Sequence, residues 1–124
     1  HVILGLPGET RRDMMETADR LARLPVTFVK LHHLYILKDT GLESLYRQGA
    51  YLPLERDRYV SLAVDFLERL RPDMIIARLA GSMRGDRLVA PDWTARKGRI
   101  IDAIQQEFRR RGTCQGCRYT GESP

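Results

Sequence analysis

Three runs of strand-forming residues are separated by stretches whose apolar residues recur at helical spacing. That alternation constrains the fold more than any other feature of the chain. Val2 to Leu4 is short, apolar and β-prone, and Gly5-Leu6-Pro7-Gly8 turns the chain away from it. Residues 26–37, VTFVKLHHLYIL, are rich in β-branched and aromatic side chains, which fit a pleated surface. Met74 to Leu79, MIIARL, is the third run. Strands alternating with long helices imply right-handed βαβ units around a parallel sheet.

The helical stretches carry their own punctuation. Thr10 stands where an N-cap belongs, with Asp13 three residues on as a weak capping box, and Pro25 closes the segment. Met14, Ala18, Leu21 and Ala22 mark the inner face of a helix over 11–24. Thr40 with Glu43 starts a short helix over 41–48, which Gly49 stops. A long helix over 55–70 has the stripe Tyr59, Leu62, Ala63, Phe66, Leu67 and Leu70. Another over 92–111 turns Ile100, Ile101, Ile104 and Phe108 inward. Residues 81–86 read as a loop, and 112–124 as a flexible tail beyond a domain of residues 1–111.

Strand alternation puts Phe28, Lys30, His32, Leu34 and Ile36 on one face of the middle strand. Val29, Leu31, His33 and Tyr35 lie on the other. Neither face is cleanly polar, so the strand is expected to be buried on both sides.

The chain has 124 residues, 43% hydrophobic and 30% charged, and fits one globular domain. No apolar run approaches the roughly 18 residues that cross a bilayer. The opening apolar run is too short for a signal peptide. Two cysteines three positions apart do not make a secreted disulfide framework, so a cytoplasmic protein is expected. The net charge of +5 permits nucleic-acid or phosphate ligands without requiring them. Much of the excess lies in Arg109, Arg110, Arg111 and Arg118, which suit a solvated helix C-terminus. The chain begins inside a strand-like run without an initiator Met, so a piece of a longer protein is expected.

Several residues could carry chemistry. The loop after the first strand can present backbone N–H groups to an anion, and Gly5 and Gly8 would allow a ligand close to the backbone. An ordinary tight turn explains the same glycines. His32 either reaches a ligand cavity, where it can exchange a proton near neutral pH, or is satisfied by a backbone carbonyl. Arg78 either clamps a carboxylate or phosphate or pairs with an acidic side chain. Cys114 and Cys117 form half of a tetrahedral site with no second pair; incidental thiols or a strained disulfide are the other readings, and no metal site is assigned. Glu9 suits bonding to its own loop or to the helix start that follows. Trp93 suits a packing anchor for the last helix.

Taken together, HVILGLPGET, VKLHHLYILKDTGLESLYRQG and ARLAGSMRGDRLVAPDWTARKGRIIDAI resemble, in order and spacing, the C-terminal part of radical SAM enzymes. The resemblance extends to a bacterial group of uncertain substrate related to the Elongator-type and methylthiotransferase-type proteins. The first segment is similar to the family's G-x-I-x-G-x-x-E pattern, with Ile3, Gly5 and the loop through Glu9 in matching positions and His1 where its first Gly would stand. The second resembles the following strand and short helix, with Thr40 and Leu42 near the helix start.

The resemblance implies an α/β fold: the C-terminal portion of a partial (β/α) barrel, with about three parallel strands and outer helices. It implies that Ile3, Gly5, Leu6, Gly8 and Glu9, with Leu34, Tyr35 and Ile36, line the adenosine of S-adenosylmethionine. It also implies a [4Fe–4S] cluster, which the family holds through CxxxCxxC. Thiolates are what bind such clusters, and this chain has no such triplet, so the ligands are expected on an N-terminal part of the same protein. The fragment alone is then inactive. His32 and Arg78 are the candidates for catalysis, on a substrate that is RNA or a small metabolite. The alternative is a non-catalytic binding or assembly module, with RNA binding through the arginine-rich end as a further reading. Exposed strand surface on an incomplete barrel predicts self-association.

Overall fold

The computed structural model describes residues 1–83 and 85–121. One residue of the 81–86 loop and the last three of the tail lie outside the described residues.

Strands β1 (Val2–Leu4), β2 (Phe28–His33) and β4 (Ile75–Arg78) form one parallel sheet in the order β1-β2-β4. Val2, Ile3 and Leu4 register with Leu31, His32 and His33. The two segments expected to form a shared wall therefore run side by side in the same direction. Helix α1 (Arg11–Ala22) connects β1 to β2; α2 (Gly41–Arg47) and α3 (Arg56–Arg69) lie between β2 and β4; α4 (Lys97–Arg111) ends the regular structure.

The middle strand is shorter than its composition predicts. The chain breaks at Leu34 and Tyr35, and Ile36–Leu37 becomes β3, which pairs antiparallel with β5 (Leu88–Ala90). Residues 88–90 carry no strand signal of their own, and the pairing with residues distant in sequence makes them one. The helix expected over 92–111 is likewise divided. Asp92–Ala95 is a 3-10 turn, and α4 begins only after Arg96.

The capping reading holds at α1. Thr10 Oγ1 accepts from the Asp13 amide, and the Asp13 carboxylate accepts from the Thr10 amide. At α2 the box is displaced by one residue: Thr40 Oγ1 accepts from the Glu43 amide, whereas the Glu43 carboxylate accepts from the Asp39 amide.

Helix α3 is the hub. Its whole expected stripe is buried, joined by Val60, Val64 and Glu68. Met14, Met15 and Ala18 of α1 and Ile100 and Ile104 of α4 meet it around Leu4, Val29 and Leu31. Ile101 and Phe108 are only half-buried. Ion pairs fasten the outer helices to α3: Arg11 with Asp65, Arg69 with Asp19, and Arg111 with Asp65.

Two sequence expectations are corrected. Burial on both faces of the middle strand fails: Val29, Leu31 and His33 are covered by helices, while Phe28 remains 64% exposed. Helices cover one side of the sheet only. Of the segment after α4, expected to be loose, residues 115–118 are docked. Gln115 donates through Nε2 to the carbonyls of Arg71 and Met74, the Gly116 amide to Leu67, and the Arg118 amide to Glu68. Gly116 lies flat on Pro72, where a Cβ would come within 2.5 Å of the proline ring.

Candidate functional site

In parallel sheets, ligands bind outside the carboxyl ends of the strands, because the loops there can vary without disturbing the core. Here that edge is formed by Leu4-Gly5-Leu6 and His33-Leu34-Tyr35. The Leu34 amide donates to the Leu4 carbonyl at 3.2 Å, so the two strands stay joined to their ends. Beside them opens a cavity of about 260 Å³ lined by His1, Ile3, His32, His33, Leu34 and Tyr35. A larger hollow of about 580 Å³ lies between Tyr46, the start of α3 and Trp93. It contains none of the predicted site residues.

Ile3 and His32 are directly paired across β1 and β2 and share the bare face of the sheet. The His1 ring lies parallel to the His32 ring, with centroids 5.4 Å apart. His32 Nε2 is buried and has no hydrogen-bond partner among the described residues. Burial lowers the His32 pKa, and so do the charges of Arg78, Lys30 and Lys97. Of the two sequence readings of His32, the carbonyl-satisfied one is not observed for Nε2. Gly81, at the exit of β4, closes on the same group: a Cβ there would approach His32 Nδ1 to 3.1 Å and the Tyr35 ring to 3.2 Å.

The glycine loop divides into two parts. Gly5 has φ of +88°, and its position is filled from within: a Cβ would meet Leu54 Cδ1 at 2.8 Å. Its carbonyl accepts the Tyr51 hydroxyl at 2.6 Å. Turn geometry and the approach of Leu54 therefore account for this glycine. Gly8, with φ of +77°, faces open space. Leu6 is 41% exposed at the loop tip. Glu9 closes the turn through its amide to the Leu6 carbonyl. Burial raises the Glu9 pKa, partly opposed by the Leu6 and Gly5 amides, and Oε1 lacks a partner among the described residues.

The Ile36 side chain is fully buried in a small second core with Tyr51 and Ala90, so its side chain lies out of reach of the cavity. Leu34 packs against that second core and also lines the cavity. The charge pattern does not reveal His33. It is 2% exposed, its ring is centred 4.0 Å from Trp93, and Nε2 lies 2.9 Å from Thr94 Oγ1. Trp93, which also donates to the Leu54 carbonyl, is the packing anchor its sequence position suggested. Gly81 and Lys97 are additions that sequence reasoning missed, because distant segments bring them to the site, and His1, read only as standing in for a glycine, stacks on His32.

The cysteines lie elsewhere. Cys114 and Cys117 are exposed free thiols on the docked segment, which contacts Arg71 and Met74 where the chain enters β4. That is the end of the sheet opposite the cavity. No group of three or more metal-ligating side chains exists among the described residues. The donor set thus does not fit a three-thiolate iron–sulfur cluster. The cavity offers instead an apolar rim, an aromatic ring at Tyr35 and one unpartnered polar atom, His32 Nε2, whereas Glu9 lines a separate hollow with Asp13 and Arg20. The arginine-rich end is largely neutralised internally. Arg110 and Arg111 pair with Glu107, and Arg111 and Arg118 with Glu68. No helix among the described residues is long and apolar enough to cross a membrane.

An α/β unit with a three-stranded parallel sheet and a cavity beside β1 and β2 defines the class. The chain belongs to the Radical_SAM C-terminal domain family, whose profile matches residues 26–110. It is 41% identical over 96% of its length to the uncharacterized protein MJ0486 of Methanocaldococcus jannaschii. It is 40% identical over 94% to the uncharacterized protein YtqA of Bacillus subtilis, and 31% identical over 75% to YhcC of Escherichia coli. The matched regions cover 37%, 36% and 30% of those proteins, so the chain spans about a third of these relatives.

Proposed function

We propose that this chain is one wall of a radical SAM enzyme, completing a partial (β/α) barrel together with other parts of the same protein. The observation that carries the reading is the in-register parallel pairing of β1 and β2, which places Ile3 beside His32 in the wall of the cavity that continues to Leu34 and Tyr35. Family membership supports it.

In this reading Leu34, Tyr35 and the loop from Leu6 to Glu9 face the adenosine of S-adenosylmethionine. Ile3 provides apolar contact beneath it, and the backbone at Ile36 remains available while its side chain anchors the second core. When bound and reduced through a [4Fe–4S] cluster, S-adenosylmethionine supplies a 5′-deoxyadenosyl radical that abstracts hydrogen from a substrate. The cofactor carries that chemistry, and the protein positions it. His32 can make one hydrogen bond at Nε2, which has no partner among the described residues. The cluster ligands belong to another part of the protein, and its setting is the reducing cytoplasm, where Cys114 and Cys117 stay thiols.

The test is anaerobic reconstitution of the full-length protein with iron and sulfide, addition of dithionite and S-adenosylmethionine, and chromatography for 5′-deoxyadenosine. Formation of 5′-deoxyadenosine is the expected result, with none from residues 1–124 alone. A full-length protein that binds a cluster yet leaves S-adenosylmethionine intact would refute the reading.

A further inference from the structure

The bare face of the parallel sheet carries an unbalanced charge. Lys30 of β2 and Arg78 of β4 are direct partners across the ladder after a bulge, so both side chains leave the same face. Phe28 and Ile75, partners one turn of the pleat earlier, are 64% and 50% exposed on that face. Ile3 and His32 complete it on the other side. Lys97, at the start of α4, is close enough to add its charge at His32.

None of the three strands contains an acidic residue. Lys30, Arg78 and Lys97 make no ion pair among the described residues. The acidic side chains of α1 and α3 are committed on the far side of the sheet, Asp19 to Arg69 and Asp65 to Arg11 and Arg111. Cations set among exposed apolar side chains lose hydration once that face is covered, and they then need a counter-charge. A guanidinium beside an ammonium suits an oxyanion, because the planar fork binds two oxygens while the ammonium adds a point charge.

We propose that Lys30 and Arg78, with Lys97 at the rim, form a subsite that grips a phosphate group of the substrate. The proposal rests on the reading of this face as the interior of a catalytic barrel, and it adds that the substrate is phosphorylated. The phosphate belongs to the substrate and not to S-adenosylmethionine, which carries a carboxylate but no phosphate.

The test uses the full-length protein and inorganic pyrophosphate as the probe, followed by isothermal titration at low and high salt. Saturable binding that weakens with salt is expected. Lys30→Gln with Arg78→Gln should weaken it at least about tenfold, the scale of losing a charge-assisted contact, while Lys30→Arg with Arg78→Lys should retain most of it. Circular dichroism checks that both variants fold.

Absence of pyrophosphate binding to the native protein overturns the proposal, including where a carboxylate of the same protein fills the site. Equal affinity in the Gln variant overturns it too. Complete displacement of pyrophosphate by S-adenosylmethionine would assign the cations to the methionine carboxylate and likewise overturn it. Comparing pyrophosphate with a short single-stranded RNA separates a phosphorylated metabolite from a nucleic-acid backbone as the phosphate source. Formation of 5′-deoxyadenosine by the native protein is measured separately, so failure of the enzymatic reading and failure of the anion subsite give different results.

Discussion

Single residues carry consequences larger than their contacts suggest. Burial lowers the His33 pKa from 6.5 to about 4, with the neighbouring His32 adding to the effect. The unfolded chain therefore takes up a proton as pH falls below 6.5, and the folded chain does so only near 4. Stability is intact above that window and declines on acidification through it, by about 1.4 kcal/mol per pH unit from this group. Urea unfolding at about pH 7 and about pH 5 measures the slope, and His33→Gln should flatten it. At Gly5 the two constraints add. Gly5→Ala places a Cβ at positive φ and against Leu54, and we expect a loss of about 1–3 kcal/mol, read as a lower urea midpoint. The sequence left two readings of this glycine, one that admits a ligand and one that makes a tight turn. Only the arrival of Leu54 and Tyr51 from residues far along the chain showed that the fold itself requires it.

Elements are fastened by polar contacts that a helical-stripe analysis does not see. Glu68 is 1% exposed on α3, an inward position that the apolar pattern omitted, and Arg111 of α4 and Arg118 of the docked segment reach it. Arg111 also holds Asp65 and Glu107. Arg111→Ala strips that buried carboxylate of one of its two cations, and we expect destabilisation of about 3 kcal/mol, measured by chemical denaturation. Thr10→Ala, by contrast, removes a solvent-exposed capping box and should cost about 1 kcal/mol. A comparable loss in both variants would contradict the distinction between buried and exposed contacts. The helices were legible because caps and apolar spacing are local. The break at Leu34 and Tyr35 was not, because the β-prone run continues through it and only pairing with β5 diverts Ile36.

At the scale of the whole molecule, the chain presents one finished side and one unfinished side. Helices seal the face of Val29 and Leu31, while Phe28 and Ile75 stand exposed on the other. Residues 1–124 prepared alone are therefore expected to associate, since exposed apolar patches and open strand edges favour it. Light scattering across a dilution series checks this, and Phe28→Lys should shift the distribution towards monomer. A wild-type segment that stays monomeric at every concentration would contradict the expectation.

Family membership bears out the sequence's resemblance to the C-terminal region of radical SAM proteins; what else the sequence determined by itself was local: the alternation of strands and helices, the caps at Thr10 and Thr40 and the inner stripe of α3. Those signals reside in residues a few positions apart, where propensity and periodicity act. Tertiary structure alone decided which face of β2 is bare, that Ile36 is sealed away, that Gln115 ties down the end of the chain and that Lys30 meets Arg78. Each of those outcomes depends on which distant segment arrives to cover, pair with or leave open a given side chain, and short-range patterning carries no record of that.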